Sequence, residues 1–437
     1  MKCIQCNTDN NLKDRTANSG RCKNCSHAFA FEPTSMTGKK FTDPFFAKAI
    51  ADISANHTLF FTPKQFLYLL ERRLKPKPLW MLNGAVLYLF SGFLIAIIID
   101  FTLSIPLGSI AFIITAILFN CLWIYCLFAI SKSKNSSYEI RQDSATGLQY
   151  LGVFILIAGV RHSIPKNSFV GFASAILLGL TALWLGIWQK RQIARNPSTP
   201  STSVISISAA QMQGWLNQWM RANGSVAKLL PTPPILAASS TPNPDVTAYS
   251  FDRVVVCDND AIANMLIANN FHFENNCAIL AISGYPQNIF EITMQMLRRN
   301  SELRVYALHD CNPVGVSLVH QLRNPNWFPD HNIAIIDVGF LPRQITTAKP
   351  GIFIQTLAES AQAAQRLPTE VRQGLSTTEL EWLDAGNLVE LESFTPQKII
   401  QILQRSISTN REIDVEDGGL IFVGDSGTSI YTVESFG

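Results

Sequence analysis

VVVCDNDAIANML (254–266), AILAISGYP (278–286) and VYALHDCNPVG (305–315) decide how the C-terminal part of this chain folds. Each is an apolar run, rich in strand-forming residues, that stops at an acid or a Gly turn and passes into a helix-like segment. Working outward, strands over Arg253–Cys257, Cys277–Ser283, Leu303–His309 and Ile333–Ile336 alternate with helices over Ala261–Asn269, Gln287–Arg299 and Gly315–Arg323. Strict alternation of this kind predicts a parallel sheet with helices on both faces, in a domain beginning near Tyr249 and occupying 249–437. Open parallel sheets place ligands outside the carboxyl ends of their strands. Asp258 and Asp310 fall at two such ends, and acids converging there point to a Mg²⁺ site. Gly284 and Gly315 allow the sharp turns that bring backbone close to a ligand.

Ahead of this domain the composition changes. The chain has 437 residues, 47% hydrophobic and only 15% charged, and its apolar residues are concentrated. Trp80 to Leu103 and Leu107 to Ile130 each exceed the roughly 20 residues that span a bilayer. Phe169 to Trp188 is again of spanning length. Leu148 to Val160 is shorter and ends at Arg161, so it reads either as a third span or as a re-entrant or strongly tilted segment. The expectation is an α-helical membrane bundle of four spans over 79–190. Lys and Arg cluster before the first run, between the second and third, and after the fourth, which places both termini on the cytoplasmic side. MKCIQCNTDN has no apolar core of a signal peptide. The net charge of +3 is too small to argue for nucleic acid. Apart from Asp100 at an edge, no apolar run carries a buried ionisable group, which argues against an ion pathway.

Cys3, Cys6, Cys22 and Cys25 form two CxxC pairs, the spacing at which two knuckles close a tetrahedral thiolate site. In a reducing compartment a disulfide is the poorer reading. The segment 1–32 has too little core to fold unaided, and binding Zn²⁺ would supply that free energy. A small zinc ribbon with a closed, structural site follows, with Phe29 and Phe31 placed to pack beneath the metal.

Between ribbon and membrane, 39–78 reads as two helices, the first capped at Thr42 or Asp43 and the second opened by Thr62-Pro63. The second carries Phe66, Leu67, Leu70 and Leu74 at helical spacing. It is either a lead into the first span with Arg72 and Arg73 at the headgroups, or part of a helix-turn-helix. The stretch 191–248 is a Pro/Ser/Thr-rich linker interrupted by an amphipathic helix, Ala209–Asn223, with Met212, Trp215, Leu216 and Trp219 on one side.

The wording of the strand ends goes beyond pattern. It resembles the Toprim domain found in the catalytic A chain of topoisomerase VI (the topoisomerase VI A family) together with its relatives, the meiotic double-strand-break family. In that family an acid ends the first strand, Gly-Tyr-Pro follows the second, and Asp-x-Asp-Pro-x-Gly follows the third. Gly284-Tyr285-Pro286 is matched in full, as are Asp310, Pro313 and Gly315. IIDVGFLPRQI (335–345), LSTTELEWL (375–383) and VELESFTPQKI (389–399) extend the resemblance over about Phe251 to Ser406. It implies a Toprim-like α/β fold, Mg²⁺ held by Asp258 and Asp310 with Asn312 assisting, DNA as substrate, an ATPase or other protein partner, and assembly as a homo-oligomer. Two residues depart from the family: Asp258 stands where it has Glu, and Asn312 replaces the second Asp with a neutral oxygen. Asp260 is either a substitute ligand or a helix N-cap. His309 ends an apolar strand, and alternation points it away from Asp310.

The relatives also carry a nucleophilic Tyr in a Thr-x-Arg-x-x-Tyr-Tyr helix. Thr62-Pro63-Lys64-Gln65-Phe66-Leu67-Tyr68 is similar in layout and puts Tyr68 at the catalytic position, although a Tyr on an apolar helix face also reads as core. Two functions follow. The first is a membrane-anchored, Mg²⁺-dependent enzyme that cleaves or nicks DNA. The second is a catalytically inactive Toprim-like binding or scaffold module, which the loss of an acid at Asn312 favours. Arg298, Arg299, Arg304 and Arg323 form no basic stripe that would decide between them.

Overall fold

The computed structural model describes residues 1–74, 108–133, 138–163, 169–195, 205–231, 251–287, 290–298, 300, 302–328, 333–347 and 352–409. The chain divides into two compact units, one formed by Met1–Lys75 with Thr202–Gly437, the other by Pro76–Ser201.

In the first unit, β1 (Arg253–Cys257), β2 (Cys277–Ala281), β3 (Arg304–Leu308) and β4 (Ala334–Asp337) make one sheet in the order β2-β1-β3-β4. Every pairing is parallel. Both faces of β1, β2 and β3 are covered, as their unbroken apolar runs require. Val255, Ile279, Tyr306 and Leu308 pack on one side with Ile262, Met265 and Leu266 of the helix Asp260–Ala268. Val254, Val256, Leu280 and Val305 pack on the other with Met294 and Leu297 of the helix Phe290–Leu297. From β1 the chain steps outward to β2, then returns past β1 to place β3 on its opposite side. The strand order therefore reverses between β1 and β3, where a crevice opens at the carboxyl ends. A short antiparallel pair, β5 (Gln355–Thr356) with β6 (Asn387–Leu388), leads into Val389, which bridges Cys311 just beyond β3.

The same unit holds a second core. Phe31, Phe41, Phe46 of the helix Asp43–Ile53, Phe66 of the helix Pro63–Leu74, and Trp215 and Trp219 of the helix Ala209–Asn223 are buried together. Ring centroids of Phe31 and Phe41 lie 4.7 Å apart, and those of Phe41 and Trp215 4.9 Å. The amphipathic helix that the sequence places in a linker thus has its apolar face in this core. Residues 196–204 and 232–248 lie outside the described residues.

The chain leaves this core after Leu74 and re-enters it beside the point of departure. Glu71 accepts from the Ser206 amide at 3.1 Å, the Ser206 hydroxyl at 2.7 Å and the Ile207 amide at 3.0 Å, and pairs with Lys39 at 2.9 Å. The first unit thus closes on itself across the point where 76–201 is inserted, Glu71 meeting Ser206 and Ile207. Burial opposes the Glu71 charge most, but Ser206 and Lys39 outweigh it and hold the carboxyl below its ordinary 4.5. This stabilisation is complete above pH 4.5 and is lost as pH falls through the lowered value. Glu71→Ala leaves Lys39 and two amides without their acceptor and is expected to cost about 3 kcal/mol. Thermal melts at neutral pH check this, and the difference from wild type shrinks in acid.

In the second unit the helices Gly108–Lys132, Tyr138–Ser163 and Phe169–Arg195 pack together. A Cβ on Gly152 would lie 2.7 Å from the Gly179 carbonyl oxygen, one on Gly159 2.4 Å from the Ala175 Cβ, and one on Gly186 2.8 Å from the Ala145 carbonyl. Small residues line this close backbone approach, whereas Leu118, Tyr125, Ile157, Leu177 and Trp184 are exposed. Buried small residues with exposed large apolar ones are the pattern of helices packed in lipid. Among the described residues, however, only Phe169–Ile193 is long and apolar enough to cross a membrane, with mean hydropathy 2.0. The four-span expectation needs correction to that extent. Within the helix Gly108–Lys132, the apolar stretch Ala116–Lys132 is shorter. The third run is embedded in a helix that begins with Glu139, Arg141 and Asp143, and the first run lies outside the described residues.

Candidate functional site

Asp258 directly follows β1, and its Oδ2 accepts from the Asp310 amide at 2.8 Å. Its Oδ1 is buried and has no hydrogen-bond partner among the described residues. The Asp310 carboxylate, just past β3, accepts from the Leu391 amide at 2.6 Å. Burial first, then the neighbouring Asp258, pushes the Asp310 carboxyl well up from its ordinary value. Asp258 is also raised by burial, with His309 acting against the shift. Two desolvated carboxylates side by side, one with a spare oxygen, form a site that a cation would stabilise.

Glycine is required at one position here. A Cβ on Gly315 would lie 2.2 Å from the Asp310 carbonyl oxygen and 3.1 Å from both Asp258 Oδ2 and His309 Nδ1. Gly284 has φ +91° at the turn after β2, the left-handed region that glycine enters freely.

Other residues singled out in the sequence sit differently. Asn312 accepts from the Gly315 amide at 2.7 Å and N-caps the short helix that begins with Pro313, so its side-chain oxygen serves backbone. Asn259, not Asp260, caps the helix Asp260–Ala268, while Asp260 accepts from the Ser283 hydroxyl. His309 is fully buried. Its Nδ1 donates to the Asp310 carbonyl at 2.8 Å and its Nε2 to Asp337 at 3.0 Å. Burial opposes its charge most, but Asp337 outweighs that and raises the imidazole to about 9.

Tyr68, fully buried, is brought from a distant part of the chain to the turn that holds Asp310. Its hydroxyl donates to Glu390 at 2.6 Å, and its ring packs 5.2 Å from that of Phe353. Burial, followed by the charge of Glu390, pushes the phenol far above its ordinary range, so Tyr68 is a neutral donor here. Lys64, one turn earlier, pairs with Glu390 at 2.7 Å and lies 3.9 Å from Glu392. The Thr62 hydroxyl donates to Glu392 at 2.7 Å. Sequence reasoning misses Glu390 and Glu392. Their only signal is two acids in alternation within VELES (389–393), beside the segment that supplies the Asp310 donor.

The four cysteines come together as their spacing requires. Their sulfurs lie within 4.8 Å of one another, the only set of three or more such ligands so gathered among the described residues. Cys3 and Cys25 sulfurs are 3.6 Å apart and those of Cys6 and Cys22 3.5 Å. Four thiolates at 2.3 Å from a tetrahedral ion would be about 3.8 Å apart, whereas a disulfide needs about 2.05 Å. The two halves are near copies. The Cys3 amide donates to Thr8 and that of Cys22 to His27, both at 2.9 Å, and each knuckle turns on a left-handed residue, Asn7 or Ser26. The donor set and its spacing suit Zn²⁺.

A parallel α/β sheet with an acid pair at its switch point belongs to the class of open sheets that place ligands outside the carboxyl ends of their strands. Residues 253–335 match the family model for the Toprim domain shared by Spo11 and the A chain of topoisomerase 6. No curated protein and no solved structure matches the chain. The C-terminal sheet is thus Toprim-like, in accord with the wording of its strand ends.

Proposed function

We propose that this chain is a membrane-anchored Toprim protein that binds DNA at the cytoplasmic face and cleaves or nicks one of its phosphodiesters with the help of Mg²⁺. The observation that carries the reading is the buried, unpartnered Asp258 Oδ1 beside Asp310 at the switch point. Asp258 and Asp310 would hold the cation. When bound, Mg²⁺ offsets negative charge on the phosphate and orients it. The Leu391 amide fixes the Asp310 carboxylate, and Gly315 lets the backbone close in behind both acids.

Tyr68 is the nucleophile on this reading. Its oxygen forms a bond to phosphorus as the strand's P–O ester bond breaks, its proton passes to Glu390, to which it already donates, and the leaving oxygen takes a proton from water. The exposed apolar side chains of the second unit support anchoring in a bilayer. A second reading, an inactive binding module, is favoured by one observation: Asn312 caps a helix with the oxygen that a metal would need.

Conversion of supercoiled plasmid to nicked circles by the detergent-solubilised protein separates the two. Cleavage dependent on Mg²⁺ or Mn²⁺, lost in Asp310→Ala, is the expected result. Tyr68→Phe is expected to abolish covalent protein–DNA adducts. Absence of cleavage by wild type, with any purified ATPase partner included, favours the binding module.

A further inference from the structure

The cation site proposed above lies next to a cation the chain already provides. Lys64 faces Glu390 at 2.7 Å and Glu392 at 3.9 Å. Those two acids flank Leu391, whose amide holds the Asp310 carboxylate at 2.6 Å. Asn259, next to Asp258, donates to Glu392 at 3.5 Å, so the acid-bearing turn is tied to both strand ends. Asp258, Asp310, Glu390 and Glu392 are therefore linked through one turn, and the Lys64 ammonium, on the helix that carries Tyr68, contacts the last two. The side chains facing Lys64 are acids on the opposite turn. Burial disfavours its charge first, and Glu390 and then Glu392 more than restore it.

We propose that Lys64 is a positioning residue that acts as the crevice's resident counter-ion, so that a divalent cation at Asp258 and Asp310 binds against it and loosens its hold on Glu390. This rests on the cation site proposed for Asp258 and Asp310. Like charges compete for the same carboxylate field, so the Lys64 contact weakens cation binding and cation binding weakens the Lys64 contact by the same factor. Glu390 is also the acceptor for Tyr68, hence loading the cation is communicated to the tyrosine helix. The crevice and Tyr68 are coupled through one carboxylate. No contact between Tyr68 and the cation is needed.

Mn²⁺ titration of the full chain in detergent, followed by the loss of free-ion electron paramagnetic resonance signal, tests this with wild type, Lys64→Met, Lys64→Arg and Asp258→Asn. Lys64→Met is expected to tighten Mn²⁺ about tenfold, within the usual range of coupling between sites. Lys64→Arg keeps the charge and is expected to match wild type. A purely structural Lys64 would give unchanged or weaker binding in Lys64→Met, which overturns the inference while the cation site stands. Equal binding by wild type and Asp258→Asn, or none by wild type, overturns the cation site and this inference together. Should Lys64→Met fail to fold, Lys64→Gln gives the same test.

Discussion

Removing zinc is expected to unfold the N-terminal module of this protein. The segment up to Phe31 has two knuckles, one six-residue helix, Leu12–Ala17, and little apolar surface of its own. Structural zinc supplies on the order of 10 kcal/mol or more to modules of this size. The loss does not stop at the ribbon. Phe31 is part of the core formed with Phe41, Phe46 and Trp219, and the Ala30 and Phe31 amides each donate to the buried Asp43 carboxylate at 2.8 Å. Cys22→Ser, or wild type held in a strong chelator, should therefore lose amide protection over 1–31 and partly over the helices Asp43–Ile53 and Ala209–Asn223. Hydrogen exchange reads this directly, with one zinc released per chain. Full protection in chelator would show that the cysteines carry no structural ion.

The second large effect has opposite signs in two assays. Asp258 is half-buried with a buried, unpartnered Oδ1, and desolvation raises its pKa, so its charged form lowers stability whenever no cation is bound. That penalty is absent below its ordinary value of 3.8 and complete above the raised one. Asp258→Asn keeps an acceptor for the Asp310 amide and removes the charge. The variant should be about 1–2 kcal/mol more stable than wild type in metal-free buffer near neutral pH, the signature of a residue retained for function. With Mn²⁺ at a hundred times its dissociation constant, wild type should gain about 2.7 kcal/mol, and Asp258→Asn nothing. Nicking activity should disappear in the variant that melts higher. Thermal melts with and without Mn²⁺ measure both signs in one experiment.

The parts of this structure that are legible in the sequence are those set by local pattern. Val254 to Cys257 is unbroken, apolar and strand-forming, and it ends at an acid, so both the strand and the place of Asp258 follow. The cysteine spacing yields the thiolate cluster for the same reason. What escapes the sequence depends on distant partners. Glu390 meets a tyrosine 322 positions away, and no periodicity encodes that pairing. The Trp face of Ala209–Asn223 is visible, but nothing in its own sequence shows that Phe41 and Phe46 lie beneath it. At Asn312 a local signal is available and is outweighed by the family motif: Asn followed by Pro is a common start to a helix, and the side chain caps accordingly. Three of the apolar runs have spanning lengths one by one, and Leu148 to Val160 falls short. Their alternative, a helix beginning in charged residues such as Tyr138–Ser163, cannot be told from a span by the apolar stretch alone.

The acid pair at the switch point is the proposed seat of a divalent cation, and the roles proposed for Tyr68 and Lys64 depend on it. Mn²⁺ binding to the metal-free, detergent-solubilised chain, compared between wild type and Asp258→Asn, tests it most directly. The predicted result is a saturable site in wild type that Asp258→Asn abolishes while the zinc content stays unchanged. Identical Mn²⁺ binding by the two proteins would contradict it and leave the crevice without its proposed cation.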